Sequence, residues 1–224
     1  AIDNCPRMLY MPTADGRIIA LDPQTGSVCR NFGAGSGQIN LWHGMPNVRL
    51  GGYYSTSPVI ASQRVLVVGG TVLDNVTTTE PSGVIRGFDV QTGELLWHWD
   101  PARPDDNTPL QAGQTYSESS PNVWSIMSVD EALGLVYLPM GNPPPDQWGG
   151  NRSEAIERVG SSVVALDLAT GRMRWVFQTV HHDLWDYDVP SQPTLVDLTL
   201  NGATVPALVQ PTKQGELFVL DRRT

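Results

Sequence analysis

A five-residue turn of the form Asp-x-x-Thr-Gly recurs along the chain and constrains its fold more than any other feature. Each copy follows a short apolar run, and a large apolar residue follows the glycine after three or four positions. Within such a turn the Asp side chain can accept bonds from backbone amides, and Gly can adopt positive φ. Each copy therefore predicts a β-hairpin. Three complete copies and the start of a fourth are Asp22–Gly26, Asp89–Gly93, Asp167–Gly171 and Asp221–Thr224.

The spacing of the copies indicates a repeat architecture. The aspartates that begin successive copies are 67, 78 and 54 residues apart. Each interval has room for about four strands and a variable loop, which is the size of a propeller blade. Unrelated hairpins that share a turn sequence are the alternative, and the number of copies argues against them. We predict an all-β propeller of four-stranded antiparallel blades, with Trp97 and Trp175 docked between neighbouring sheets.

Glycine and proline are spread through the whole sequence. The 22 Gly and 18 Pro interrupt every apolar run, which favours short strands and tight turns over long helices. One helical turn is expected at Ser153–Arg158. Three polar, Gly-rich or Pro-rich segments, at 31–60, 100–122 and 141–160, are predicted to be long ordered loops, and such loops are often functional.

The charge balance narrows the possible partners. With 23 acidic and 14 basic residues the formal net charge is −9, which disfavours nucleic acid and anionic lipid as partners because both need a basic face. A neutral or cationic small molecule fits better. No apolar run approaches the roughly 18 residues of a membrane span. We expect residues 1–224 to be a soluble, incomplete single domain of a longer protein.

Two cysteines, Cys5 and Cys29, flank the first repeat. A disulfide between them would close a loop of about 25 residues, stabilise the fold by roughly 3 kcal/mol and imply an oxidising compartment. Two buried free thiols are the alternative. Neither cysteine lies in a spacing typical of zinc sites.

The segment 179–188 concentrates two histidines, three carboxylates and two aromatic residues in a chain that is only 17% charged. It follows the third repeat and should be a loop on a rigid scaffold, where chemistry is often found. His181 and His182 are adjacent and would point to opposite sides of an extended chain, without a third ligand nearby, so we do not predict a metal pair there. By its residue type alone, Asp186 can be a turn-capping residue or a general base.

A series of motifs, in one order along almost the whole chain, closely resembles the membrane-bound quinoprotein dehydrogenases that use pyrroloquinoline quinone (PQQ), especially the glucose and quinate dehydrogenase group. The resemblance implies an eight-bladed propeller, of which this chain would form about half, with membrane helices and later blades outside it. The matching segments are Cys5–Arg7, Pro12–Arg17, Thr56–Pro58, Asp74–Asn75, Ser82–Asp89, Ser120–Trp124, Leu138–Gly141, Trp148–Arg152, Thr179–Asp186 and Phe218–Arg223.

The resemblance also implies roles for single residues. Asp186, the second Asp of His-Asp-Leu-Trp-Asp, would be the base that removes the hydroxyl proton of an alcohol while hydride goes to the quinone. Lys213, the only lysine in the chain, would place its charge against quinone oxygens that become negative during reduction. Trp124 would stack on the planar cofactor. The alternative interpretations are that Asp186 is a turn residue, that Lys213 is a solvated surface lysine and that Trp124 packs within a blade.

A metal site is implied as well. Asp74 and Asn75 carry the oxygen donors that Ca²⁺ or Mg²⁺ requires, and a hard cation would polarise the quinone. Asn142 is the predicted third donor, by similarity to related alcohol dehydrogenases. In some members of the resembling family a hydroxyl residue lies two positions later, where this chain has Pro144.

Quinoprotein methanol and ethanol dehydrogenases carry an adjacent Cys-Cys pair, which this chain lacks. Its absence favours the sugar and cyclic polyol branch of the family. These residues do not distinguish glucose from quinate or shikimate as the substrate. The resemblance implies that electrons pass to membrane ubiquinone at the periplasmic face of the bacterial inner membrane, with attachment only through a segment outside this chain. The alternative from another class is a cofactor-free propeller scaffold for outer-membrane assembly, which would not need Asp186, Lys213 and Asp74 together.

Overall fold

The computed structural model describes residues 1–224 as sixteen short strands and one helix. The elements are β1 (Leu9–Pro12), β2 (Arg17–Leu21), β3 (Gln38–Asn40), β4 (Tyr53–Tyr54), β5 (Ile60–Ala61), β6 (Val65–Val68), β7 (Thr71–Val72), β8 (Ile85–Asp89), β9 (Leu95–Trp99), β10 (Ser128–Asp130), β11 (Leu135–Pro139), α1 (Glu154–Val159), β12 (Ser162–Asp167), β13 (Met173–Gln178), β14 (Thr194–Leu200), β15 (Ala203–Pro211) and β16 (Leu217–Asp221).

The strands form four successive antiparallel sheets. The first sheet has the order β1-β2-β3, the second β5-β6-β8-β9, the third β10-β11-β12-β13 and the fourth β14-β15-β16. Strands β4 and β7 pair separately. The prediction of antiparallel propeller blades is confirmed, with two blades of four strands and two of three within this chain.

The repeated turns have the predicted hydrogen bonds. In the second copy, Asp89 Oδ1 accepts bonds from the backbone nitrogens of Gln91 at 2.9 Å and Thr92 at 2.8 Å. Gly93 has φ +72° and donates its N–H to the Asp89 carbonyl oxygen at 2.8 Å. The first copy repeats this arrangement, and the third keeps the bonds of Thr170 and Gly171 to Asp167. The local sequence therefore determines where each of these hairpins turns.

Three hydrophobic cores lie between the four sheets. The first contains Ile18 and Leu66, the second Val67 and Val136, and the third Tyr137 and Leu208, so each core joins neighbouring sheets. Adjacent residues of β11 supply the second and third cores because side chains alternate across a strand. No core joins the first sheet to the fourth, so the four sheets are not closed into a ring.

Both predicted tryptophans pack between sheets. Trp97 is buried in the second core, and its Nε1 donates to the Leu168 carbonyl oxygen at 3.0 Å in the next repeat. A Cβ on Gly171 would lie only 2.4 Å from the Trp97 ring, so this close contact requires glycine. Trp175 packs against the third core with its ring 5.8 Å from that of Tyr137. The prediction is confirmed for both residues.

Two smaller predictions are also confirmed. Cys5 and Cys29 form a disulfide, and both are fully buried. The expected helical turn is α1, whose N-terminus is capped by the Ser153 side chain accepting from the Ile156 backbone nitrogen.

No helix of the chain has both the length and the apolar character needed to cross a bilayer.

Replacing Trp97 with Ala should destabilise the propeller, because it leaves a cavity in the second core and removes the bond to Leu168. We expect a loss of about 3–5 kcal/mol in the free energy of unfolding, measured by denaturant titration of the complete protein. Trp148→Ala is the matched control, since that side chain is 50% exposed and should cost far less. Equal losses in the two variants would contradict a role for Trp97 in joining the blades.

Candidate active site

Several inter-strand segments meet at one end of the sheets. They are the turn after β7, the segment before β10, and the connections that follow β11, β13 and β15. Alternate strands of an antiparallel sheet run in the same direction. The C-terminal ends of β11 and β13 therefore lie at the same end of their sheet. The five segments carry, in that order, Asp74 and Asn75, Trp124, Asn142, Asp186, and Lys213.

Lys213 makes three polar contacts at the centre of this region. Its Nζ lies 3.0 Å from the Asp186 carbonyl oxygen, 3.0 Å from Asp186 Oδ1 and 3.1 Å from Asp188 Oδ2. The same nitrogen lies 5.7 Å from the centroid of the Trp124 ring, within cation–π range. Burial on its own lowers the pKa of the Lys213 ammonium, but Asp188 and Asp186 outweigh it, so its pKa is raised above the ordinary lysine value. Lys213 therefore remains positively charged.

Asp188 links the lysine to the tryptophan. Its Oδ2 accepts from Trp124 Nε1 at 3.0 Å as well as from Lys213, and its Oδ1 accepts from the Asn142 backbone nitrogen. Burial raises the pKa of the Asp188 carboxyl, while the ammonium of Lys213 and the amide of Asn142 favour its ionised form. The sequence analysis did not single out this residue, although its position two residues after Asp186 could have suggested it.

Asp183 organises the loop that carries Asp186. Its carboxylate accepts from the backbone nitrogens of Trp185 at 3.0 Å and Tyr187 at 2.8 Å, and from Ser161 Oγ at 2.6 Å. Asp186 has φ +63°, a conformation that L-residues adopt rarely and that persists only when the surroundings hold it. The bonds to Asp183 on either side of Asp186 provide that support.

The two histidines lie outside this network. His182 places Nδ1 3.0 Å from Glu157 Oε1 on α1, and neither histidine bonds to Asp186. Both are exposed.

The Asp74–Asn75 turn lies against the loop that follows β11. Asn75 has φ +50°, and its Oδ1 accepts from the Gln147 backbone nitrogen at 3.3 Å. The Asp146 carboxyl in this loop is buried, and its Oδ1 has no hydrogen-bond partner. Burial raises the pKa of Asp146 to about 9, and repulsion from Asp188, Asp74 and Asp186 adds to the effect. The metal-site pair from the sequence thus lies against the loop that carries Asp146.

Asn142 connects two loops of the site. Its side-chain nitrogen donates to the carbonyl oxygens of Asp146 at 2.8 Å and Asp183 at 3.0 Å. Arg152 also donates to these two carbonyl oxygens, at 2.9 and 2.6 Å. The connection after β11 is therefore tied to the connection after β13 by side chains that bond to backbone.

No three His, Cys, Asp or Glu side chains of the chain are arranged around a common metal position. A cation held here would therefore need amide or cofactor oxygens besides carboxylates.

The arrangement suits proton removal beside a fixed positive charge. Asp186 is one-third exposed and can reach a substrate, Lys213 holds it in place, and Trp124 offers an aromatic face next to the ammonium. These are the three residue types that the resemblance to quinoprotein dehydrogenases assigns to the site.

The comparisons with known proteins agree with that class. Residues 1–224 match the family described as PQQ: Glucose/ethanol/alcohol dehydrogenase, beta-propeller domain. The chain belongs to this PQQ β-propeller family.

Two relatives show how much of a whole protein the chain covers. It is 50% identical over 220 residues to the quinoprotein glucose dehydrogenase of Escherichia coli (strain K12), covering 98% of this chain and 28% of the relative. It is 46% identical over 223 residues to the quinate/shikimate dehydrogenase (quinone) of Acinetobacter baylyi, covering 99% of this chain and 27% of the relative. The chain thus spans little more than a quarter of the length of these relatives.

A solved structure supports the fold. The quinohemoprotein alcohol dehydrogenase from Comamonas testosteroni superposes with a TM-score of 0.75 over 97% of this chain and 32% of that structure, at 22% identity.

Replacing Asp183 with Ala should loosen the Asp186 loop, because the amides of Trp185 and Tyr187 lose their acceptor. We expect hydrogen exchange at these amides to become about 10- to 100-fold faster, measured by mass spectrometry on the complete protein. Asp105→Ala, which removes an exposed carboxylate paired with Arg158, is the control. Unchanged exchange in the Asp183 variant would show that the loop is held by other contacts.

Proposed function

We propose that the complete protein is a PQQ-dependent dehydrogenase that oxidises a sugar or cyclic polyol of the glucose type. The observation that carries the proposal is the convergence of Lys213 Nζ on Asp186 Oδ1 at 3.0 Å and on the Trp124 ring at 5.7 Å. These residues come from separate connections and have the three types needed for a base, a cation and a stacking surface. A scaffold without cofactor would not need them together.

The residues present fit a quinone cofactor. A planar, electron-poor ring system suits an aromatic partner, and Trp124 is fixed by the bond from its Nε1 to Asp188. Lys213 is charged and only partly buried, so it can face oxygens that gain negative charge. When bound, PQQ supplies the quinone carbon that accepts hydride from the substrate.

In the proposed mechanism, Asp186 takes the proton of the substrate hydroxyl. Its carboxylate is kept in position by Lys213 and by the loop geometry that Asp183 supports. Asp188 prevents the ammonium from moving away from Trp124, since it bonds to both. The main contribution of the protein is thus a base and a fixed positive charge in a defined orientation.

Asp74 and Asn75 are proposed to hold a divalent cation, Ca²⁺ or Mg²⁺. Their carboxylate and amide oxygens are hard donors, and Asn75 accepts a hydrogen bond from the loop that carries Asp146. Asn142 remains the predicted third donor: both hydrogens of its amide are directed at backbone carbonyl oxygens, which fixes the group, and its Oδ1 accepts no hydrogen bond.

Several features of the whole protein are part of the same proposal. Residues 1–224 form part of one larger propeller, electrons pass to ubiquinone, and the enzyme acts at the periplasmic face of the inner membrane. The buried disulfide supports an oxidising compartment. Quinate or shikimate is the alternative substrate class, supported by the 46% identity to a quinate/shikimate dehydrogenase.

The experiment is to load the complete protein with PQQ and Ca²⁺ and to follow dye reduction with glucose, other sugars, polyols and quinate. Asp186→Asn should lower kcat by about 10²–10⁴-fold, because the amide cannot accept the hydroxyl proton. Asp105→Asn, on the exposed surface, should leave activity unchanged. Full activity of Asp186→Asn would reject the base, and turnover of quinate alone would favour the alternative substrate.

A further inference from the structure

We propose that Asp188 is a positioning residue that holds Lys213 in place while Asp186 takes the substrate proton. The inference rests on the proposed function, because it concerns the step in which Asp186 acts as the base. It goes beyond that function by separating the tasks of the two carboxylates that share the ammonium. Asp186 reacts, and Asp188 remains the counter-ion of Lys213 throughout.

The two carboxylates bound to Lys213 differ in their access to solvent. Lys213 Nζ lies 3.0 Å from Asp186 Oδ1 and 3.1 Å from Asp188 Oδ2, so the two contacts are almost equally close. The Asp186 side chain is 33% exposed, whereas the Asp188 side chain is only 9% exposed. A substrate can therefore reach Asp186 and is kept from Asp188.

Asp188 is fixed by contacts that do not depend on Lys213. Its Oδ2 also accepts from Trp124 Nε1 at 3.0 Å, and its Oδ1 accepts from the Asn142 backbone nitrogen. The Asp186 carboxylate bonds only to Lys213, through Oδ1. Asp188 can thus serve as an anchor, while Asp186 has its second oxygen free to accept from a substrate hydroxyl.

The charges around Lys213 change when the base reacts. Before the step, one ammonium lies between two carboxylates. When Asp186 removes the hydroxyl proton, the O–H bond of the substrate breaks and an O–H bond forms on Asp186, so Lys213 loses one of its two counter-ions. The Asp186 carbonyl oxygen, 3.0 Å from Nζ, remains as a neutral partner only. A partly buried ammonium without a counter-ion is costly, and the flexible lysine side chain could then move towards water. Asp188 removes that cost, because its contact with Lys213 takes no part in the proton transfer.

The position of the ammonium matters because it lies beside the surface proposed for the cofactor. Nζ is 5.7 Å from the centroid of the Trp124 ring, and Asp188 bonds to both side chains. Displacement of Lys213 towards solvent would take the positive charge away from the quinone oxygens when they gain negative charge. The reacting carboxylate and the holding carboxylate are therefore different residues.

The first test measures the reactivity of Lys213 in the complete protein without PQQ. Acetylation by acetic anhydride requires a neutral, accessible amine, and its rate at Lys213 can be followed by peptide mass spectrometry. Asp186→Asn imitates the protonated base, and its Lys213 should react at most about fivefold faster than in the unaltered protein, because Asp188 retains the ammonium. Asp188→Asn should raise the rate by about 10- to 100-fold, because the buried partner is lost.

The second test uses the complete protein loaded with PQQ and Ca²⁺ and a neutral sugar or polyol that it oxidises. Asp188→Asn should lower kcat by about 10- to 100-fold and change KM by less than about threefold, since the base and the substrate contacts remain. Asp130→Asn is the matched control, because Asp130 is another buried carboxylate in an ion pair, 2.7 Å from Arg222 Nε. It should lower stability without changing kcat or the acetylation of Lys213.

Equal acceleration of Lys213 acetylation in Asp186→Asn and Asp188→Asn would overturn the proposal, and so would an unchanged kcat in Asp188→Asn. The Asp186→Asn measurement decides the question even if Asp188→Asn does not fold, because a released Lys213 in that variant would show that Asp188 is not a sufficient anchor. A complete protein that shows the predicted difference in acetylation, but neither binds PQQ nor oxidises a substrate, would support anchoring by Asp188 and reject the proposed function.

Discussion

One ammonium group holds the site together. Lys213 extends from the connection between β15 and β16 and bonds to Asp186 and Asp188, which lie between β13 and β14. Through Asp188 and the cation–π contact it also fixes Trp124, which precedes β10. Without this charge the two carboxylates would repel each other in a partly buried setting. Three connections of the propeller thus depend on one ion-pair network.

That network can form only because the sheets are held in a fixed relation. The repeated turns define each hairpin locally, and the three inter-sheet cores set the angle between neighbouring blades. Trp97 adds a direct bond from one blade to the turn of the next. On this rigid base, local bonds such as those of Asp183 can hold Asp186 at positive φ. Backbone strain of this kind is commonly found at functional sites.

Features that depend on residues close together in the sequence can be predicted from it. Features that depend on contacts between residues far apart along the chain cannot. Asp-x-x-Thr-Gly contains both the acceptor and the glycine of its own turn, so the blades follow directly from it. Asp186 and Lys213 were found by resemblance, because residue type alone favours ordinary turn residues at both positions. Asp188 gains its importance from burial and from Lys213, Asn142 and Trp124, which are 25 to 64 residues away along the chain. Its position two residues after Asp186 is the one local sign of that role.

The charge of the site also bears on the substrate. Repulsion from Asp74, Asp186 and Asp188 raises the pKa of Asp146, and Lys213 is bonded to Asp186 and Asp188. A bound divalent ion would still leave these groups with a net negative charge when all four carboxylates are ionised. Quinate is itself a carboxylate, so its approach would be opposed unless residues outside this chain supply a positive group. A neutral sugar or polyol meets no such repulsion, and this favours the glucose-type proposal over the quinate alternative.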